Sequence, residues 1–293
     1  MKHDLISIVI PAKNEAQSLV DLIPAIKKQL PDAEIVVVND GSTDDTEVIS
    51  KQHGAVVVNH PYSKGNGAAI KSGARAASGS LLVFMDADGQ HQPKDIVRLI
   101  AKYEQGYDMV VGARGRESQA SAARLFGNAM YNRIASYMTG HKIADLTSGF
   151  RAVSAEKFRQ FLYLLPNGFS YPTTITMAFF RAGFSVGYEA IIAPERVGKS
   201  HISLVKDGAR FFLIIFKIGT LYSPMKLFSP ASALFFLTGL IYYVFTFFTD
   251  GRFTNMGVLL FSTSILIFLM GLISEQITAL FYQTKPQEND NKD

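Results

Sequence analysis

Residues 84–93, FMDADGQHQP, set two carboxylates one residue apart where an apolar run gives way to polar sequence. Like charges that close repel, and a bound divalent cation removes the repulsion. A hard cation takes oxygen ligands and keeps waters and substrate phosphates in its shell. Asp86 and Asp88 therefore suit a metal–diphosphate site, although a solvated turn uses the same Asp-x-Asp pattern. Gln90, on the same turn, adds an amide oxygen. His91 is expected beside the site rather than on the ion, because a phosphate-bound hard cation prefers oxygen.

Two further stretches could serve a nucleotide. Asp40 ends the run VVVND, where a carboxylate can accept the imide N–H of uracil or the N1–H of guanine. The alternative is that Asp40 and Ser42 cap a helix beginning near Thr43, for which GSTDDT is a good sequence. KGNGAA, from Lys64, is half of a dinucleotide fingerprint but follows the third strand-like run and lacks the last glycine, which argues against an NAD site. It reads as a loop that lets a nucleotide or sugar approach closely, or as a plain turn.

These residues need a scaffold. LISIVIP, EIVVVND, AVVVNH, LLVFMDAD and DMVVGAR are short apolar or β-branched runs, most ending in Asn, Asp, Gly or Pro, and read as buried strands. Helix-like stretches at 16–29, 43–53, 68–77 and 93–105 separate them. The alternation predicts an α/β fold with a mainly parallel sheet covered by helices. Ligands of such sheets bind beyond the carboxyl ends of the strands, where Asn14, Glu15, Asp40, Asp86 and Asp88 fall. Between 145 and 194 the pattern turns irregular, with SGFRA and LPNGFSYP, as expected of a region completing an acceptor pocket.

The 293-residue chain is apolar in a lopsided way. Residues 230–249 carry no charge and 256–274 are nearly as long, each enough to span a bilayer. Two crossings return the tail 284–293 to the side of the head. Arg196, Lys199, Lys206, Arg210, Lys217 and Lys226 gather before the first span, which marks that side as cytoplasmic and suits a surface against anionic lipid. The stretch 206–228, apolar but interrupted by lysines, reads as interfacial helices. No aromatic-basic motif accompanies the charge, so nucleic acid is not an expected partner. MKHDLISIVIPAKNE lacks a signal peptide's apolar segment and cleavage site, and the chain has no cysteine for a disulfide, thiolate ligand or thiol nucleophile.

Taken in order, IVIPAKNEA, VVVNDGSTDDT, KGNGAAIKSG, MDADGQHQP, VGARGRES, DLTSGFRA and RVGKSHIS resemble the GT-A fold glycosyltransferases of family 2. Within them the chain is most similar to the polyprenyl-phosphate glycosyltransferases, the group of dolichol-phosphate mannose synthase. The resemblance implies a GT-A catalytic domain over 1–205, interfacial helices over 206–228, a two-helix transmembrane hairpin within 229–283 and a cytoplasmic tail. It implies a nucleotide loop at Pro11, Lys13 and Glu15, with Lys13 where the family often has Tyr. It makes Asp40 the base-binding acid, and puts Asp86, Asp88 and Gln90 at a Mg2+ or Mn2+ ion with Ala87 beneath the donor. Lys64 joins the nucleotide-sugar contacts. Arg114, Arg151 and Arg196 match basic positions near the phosphates, where a guanidinium fork fits phosphate oxygens. At Ser200-His201 the family often has Ser-Lys, and Lys199 or Lys206 can substitute. Asp145 is a structural residue that caps or orients Arg151, or a general base.

The implied reaction moves a sugar from a UDP- or GDP-linked donor to undecaprenyl or dolichyl phosphate at the cytoplasmic face of the cell membrane. Phosphate has a second pKa near 6, so the acceptor oxygen needs no strong base, and direct attack inverts the anomeric carbon. The catalytic set is then Asp88, Arg114, Asp145 and Arg151. A glycan or protein hydroxyl acceptor is the alternative and would use Asp145 as base. A third reading is a membrane scaffold or nucleotide sensor without turnover. Paired anchors also allow a homo-oligomer.

Overall fold

The structure, a computed structural model, describes residues 5–89, 91–115, 122–168, 170–191, 216 and 219–283, with the backbone alone at 122–126, 250 and 281–283. The chain divides into two units, Met1–Ser136 with His141–His201, and Tyr137–Gly140 with Ile202–Asp293.

The first unit is built on one seven-stranded sheet. Its first five strands alternate with helices: β1 (Ile6–Ala12), α1 (Ala16–Gln29), β2 (Glu34–Asp40), α2 (Thr46–Gln52), β3 (Val56–His60), α3 (Asn66–Ala76), β4 (Leu81–Phe84), α4 (Pro93–Tyr103) and β5 (Met109–Arg114). Then come α5 (Ala122–Thr139), β6 (Arg151–Ser154), α6 (Ala155–Arg159), α7 (Tyr171–Arg181) and β7 (Val186–Ile191). Strand order is β3-β2-β1-β4-β6-β5-β7, and only β6 runs antiparallel to its neighbours. The expected mainly parallel α/β sheet is therefore observed.

Burial explains why the first strands are so apolar. Ile8, Val9 and Ile10 of β1, Val36 to Val38 of β2 and Leu82 to Phe84 of β4 have no exposed surface, as strands covered on both faces require. One layer of cover is α1, which buries Leu19, Leu22, Ile23 and Ile26 at three- and four-residue spacing.

The reversed strand matters most for the site. Because β6 is antiparallel, its first residue, Arg151, pairs with Phe84 at the carboxyl end of β4 and with Val111 of β5. The Gly112 amide donates to the Phe150 carbonyl at 2.8 Å. The segment 145–150 is thereby drawn to the edge where Asp86 and Arg114 emerge.

The second unit centres on two long helices, Pro224–Asp250 and Asn255–Gln283. Both are long and apolar enough to cross a membrane, and only 17% of each apolar window is covered within the chain. That exposure is the reverse of a buried soluble hairpin. The first helix starts at Pro224 rather than near 230, so Pro230 lies inside it. Ser232 and Ser264, both buried, donate to each other's carbonyls at 2.9 Å, a polar clasp between facing helices. The Lys226 ammonium donates to the carbonyls of Tyr137 and Met138 at 3.2 and 3.0 Å, where a helix end leaves carbonyls without intrahelical partners. Most of the expected interfacial stretch, 206–215, 217 and 218, and the tail 284–293 lie outside the described residues.

Candidate active site

The carboxyl ends of β1 to β4 share one edge, and hydrogen bonds tie their loops into a rim. Asn14, at φ +57°, accepts the Thr43 amide at 2.8 Å, while its own amide donates to the Ser42 hydroxyl at 2.9 Å. The Glu15 amide donates to Thr46 Oγ1, and the Ala16 amide to Asp44 Oδ2. The helix-capping reading of Asp40 and Ser42 is thus replaced: Asp44 receives the Thr46 amide, and Ser42 serves the neighbouring loop. Pro11 ends in the sheet opposite Val38, Lys13 is exposed and Glu15 is half-buried against the Ser18 hydroxyl.

Asp40 is engaged within the rim. Oδ1 accepts His60 Nδ1 at 2.7 Å and the Lys64 amide at 2.8 Å; Oδ2 accepts the Ser63 hydroxyl at 2.8 Å and the Gly65 amide at 2.9 Å. Four donors fill a carboxylate's four acceptor positions, which leaves none for a base. Burial raises the carboxyl's pKa, but the bonds from His60, the two amides and Ser63 outweigh it and bring it down to about 2. His60 Nε2 in turn meets Ser72 Oγ at 2.8 Å. Asp40 therefore sets the shape of the loop 63–65. His60 escaped the sequence reading, since nothing local marks it as Asp40's partner.

The glycine loop also differs from expectation. A Cβ on Gly67 would stand 2.0 Å from the Pro166 carbonyl oxygen, and one on Gly65, at φ +98°, 2.7 Å from that of Asn167. The Gly67 and Ala68 amides, at the start of α3, donate to the carbonyls of Gly168 and Asn167. Small residues here admit the chain's own 166–168 segment.

At the end of β4, Asp86 and Asp88 are half-buried and Ala87 between them is buried. The Asp86 amide donates to His91 Nδ1 at 3.1 Å, so that nitrogen carries a lone pair and Nε2 the proton. Burial lowers the pKa of His91 against the opposing pull of Asp86 and Asp88, and its ring stacks on Phe150 at 4.7 Å. Beneath the pair lies Gly149, where a Cβ would fall 3.3 Å from Asp86 Oδ2. The Tyr171 hydroxyl donates to the Gly149 carbonyl at 3.1 Å.

Arg114 closes the other side. Its Nε and Nη2 donate to Asp145 Oδ2 and Oδ1 at 2.9 and 3.2 Å, and Nη2 also reaches Thr147 Oγ1 at 2.7 Å. Asp145 additionally accepts the amides of Thr147 and Ser148. Burial raises the Asp145 pKa, yet Arg114 and Thr147 bring it below the ordinary carboxylate value. For Arg114, burial lowers the pKa while Asp145, Asp86 and Asp88 raise it further. With Nε and Nη2 committed, the Nη1 donors have no partner among the described residues.

Arg151 lies inside the head. Its guanidinium has no exposed surface and donates to the carbonyls of Pro172 and Ser148 and to the Thr176 hydroxyl. Burial lowers its pKa, and Nε has no partner among the described residues. It packs beneath the edge instead of facing phosphate, and Asp145 orients Arg114, not Arg151. Lys64 is exposed, its ammonium 5.8 Å from the Tyr62 ring centre. Gln90, Arg196, Lys199, His201 and Lys206 lie outside the described residues.

The donor set fits a hard cation in kind: two carboxylates at a strand end, with the histidine's nearer nitrogen already occupied by an amide. Among the described residues no group of three acidic, His or Cys side chains is clustered for a metal.

An open α/β sheet with an acidic pair at its carboxyl edge is the fold that the comparisons identify. The profile described as glycosyl transferase family 2 matches residues 7–162, and that described as the GtrB C-terminal hairpin matches 223–280. The chain belongs to glycosyltransferase family 2. It is 27% identical to an undecaprenyl-phosphate 4-deoxy-4-formamido-L-arabinose transferase of Proteus mirabilis, over 96% of this chain and 90% of the relative. It is 26% identical to glycosyltransferase AglJ of Haloferax volcanii, over 94% and 95%. Glucosyl-3-phosphoglycerate synthase from Mycobacterium tuberculosis, solved with uridine diphosphate, superposes with a TM-score of 0.56 at 25% identity, covering 74% of this chain and 79% of that one. The same enzyme with Mn2+, UDP-glucose and glycerol 3-phosphate gives 0.57 at 24%, covering 73% and 78%.

Proposed function

We propose that this glycosyltransferase moves a sugar from a UDP- or GDP-linked donor to a polyprenyl phosphate, undecaprenyl or dolichyl, at the cytoplasmic face of the cell membrane, with inversion. The observation that carries the proposal is the Asp86–Asp88 pair beside the Asp145-braced Arg114, on a chain ending in two bilayer-length helices. The undecaprenyl-phosphate transferase named above supports the acceptor, and the Mn2+ complexes of the structural relative support a divalent cation.

In this reading Asp86 and Asp88, with Gln90, hold Mg2+ or Mn2+, which when bound neutralises charge on the diphosphate. Pro11, Lys13, Glu15 and Lys64 flank the nucleotide, and Ala87 keeps the floor beneath the donor low. Arg114 directs its Nη1 donors at a phosphate oxygen while Asp145 fixes the guanidinium plane, so that charge growing on the departing nucleoside diphosphate meets a preorganised donor. Arg151 acts from below as a buried positive charge near Asp86 and Asp145. The acceptor phosphate is already anionic at neutral pH, so positioning replaces base catalysis. A carboxylate held anionic by an arginine is a weak base, and that state of Asp145 weighs against a hydroxyl acceptor.

The head over 1–205 is the catalytic domain, 206–228 holds it at headgroup height, and Arg196 with Lys199 or Lys206 completes the phosphate contacts. Paired hairpins allow a homo-oligomer.

The test supplies the purified full chain with polyprenyl phosphate, a cation and a panel of labelled nucleotide sugars. Label in the lipid extract with inverted anomeric configuration is the expected result. Transfer only to hydroxyl acceptors, or a retained configuration, overturns the proposal.

A further inference from the structure

The rim around Asp40 raises a question that the acidic pair does not answer: with its carboxylate filled, what holds the donor's base? Lys13, exposed in the β1 loop, offers no aromatic face. One loop away stands Tyr62, 66% exposed, among the most exposed large side chains of the first unit. Its backbone is nonetheless fixed. A Cβ at Gly41 would meet Tyr62 Cα and C at 2.9 and 2.7 Å, so the β2–α2 turn lies directly on it. On its other side, Ser63, Lys64 and Gly65 all donate to Asp40.

The same turn joins the loop of Lys13, because Ser42 and Thr43 bond Asn14. Tyr62 and Lys13 thus flank one turn at the carboxyl ends of β1 to β3, the edge where a doubly wound sheet binds its ligand. An aromatic ring kept in water by a rigid loop loses apolar contact for no structural return, whereas its preorganised face costs little entropy on binding. The Lys64 ammonium lies over one face of the ring, 5.8 Å from its centre, and adds positive charge there.

We propose that Tyr62 is the face on which the donor's nucleobase stacks, held in place by the loop that Asp40 and His60 clamp. The ligand class is a nucleoside diphosphate, and the inference rests on the nucleotide-sugar reading above. Stacking tolerates either base, since every base has a π-face.

The chain has no tryptophan, so Tyr62→Trp makes the only indole reporter at the site. Calorimetry on the unaltered full chain with Mn2+ first establishes whether UDP or GDP binds. The nucleotide that binds is expected to quench Tyr62→Trp fluorescence, inorganic pyrophosphate is not, and Tyr163→Trp, elsewhere on the head, stays unquenched. Tyr62→Ala is expected to raise the nucleotide-sugar KM about 5- to 100-fold with kcat little changed, and Tyr62→Phe, which keeps the ring, to restore the affinity. Binding to the unaltered chain with no quenching of Tyr62→Trp, or with an unchanged KM in Tyr62→Ala, overturns the stacking proposal alone. Failure of the unaltered chain to bind either nucleotide overturns both readings.

Discussion

Asp145→Asn isolates the brace behind Arg114. The substitution keeps the shape but removes the charge and turns one oxygen into an N–H2 group. Either orientation then sets donor against donor: toward Arg114 Nε, where Oδ2 now sits at 2.9 Å, or toward the Thr147 and Ser148 amides, where Oδ1 sits at 3.0 and 3.1 Å. Breaking a buried ion pair costs about 3–5 kcal/mol. Because Arg114 is still 29% exposed and can rehydrate, we expect less than that, about 2–3 kcal/mol. In a head of this size that lowers the unfolding midpoint by roughly 4–12 °C. A slack guanidinium also loses its aim at developing charge, expected to cost about 10- to 100-fold in kcat with a smaller change in donor KM. Thermal unfolding by circular dichroism and steady-state transfer, on the same detergent preparation, read both quantities. Rescue of kcat by Asp145→Glu without recovery of the midpoint would separate aim from stability. An Asp145→Asn chain with midpoint and kcat both unchanged refutes the bracing role.

Three other expectations follow from the same geometry. The Asp40 pKa, lowered to about 2 from an ordinary 3.8, means that its contribution of ~2 kcal/mol is present above about pH 4 and fades as pH falls toward 2. Asp40→Asn should lower the midpoint at pH 7 and flatten its fall between about pH 4 and 2. Gly67→Ala should destabilise the head by more than about 2 kcal/mol, since its methyl would overlap the Pro166 carbonyl; an unchanged midpoint would mean that the 166–168 segment yields freely. Ser232→Ala should weaken the hairpin by about 0.6–2 kcal/mol, read as earlier dissociation of the helices in a denaturing detergent series, and the double variant with Ser264→Ala should add little more.

The sheet was legible where burial on both faces leaves uninterrupted apolar runs, as in β1, β2 and β4. It was not legible in β6, four residues that begin with a fully buried arginine, or in β7, an edge strand only partly covered. The acidic pair stood out because its two members are neighbours in sequence. The partners that shape the rest of the site are distant: Arg114 and Asp145 are 31 residues apart, and His60 and Asp40 are 20 apart. Its place at a strand end made Asp40, and the family resemblance made Arg151, look like ligand contacts; only the fold revealed that internal donors and acceptors already engage them. The span lengths were readable from charge-free sequence, whereas Lys226, whose ammonium meets helix-end carbonyls, hid the earlier start at Pro224 from that pattern.

The central claim is that Asp86 and Asp88 hold a donor's diphosphate through a divalent ion. Calorimetric titration of UDP and GDP into the full chain, with Mn2+ and with chelator, against Asp86→Asn and Asp88→Asn, tests it directly. Nucleotide binding that needs the cation and weakens at least about 100-fold in either variant is the predicted result. Binding that is equally tight with chelator and in both variants would contradict it.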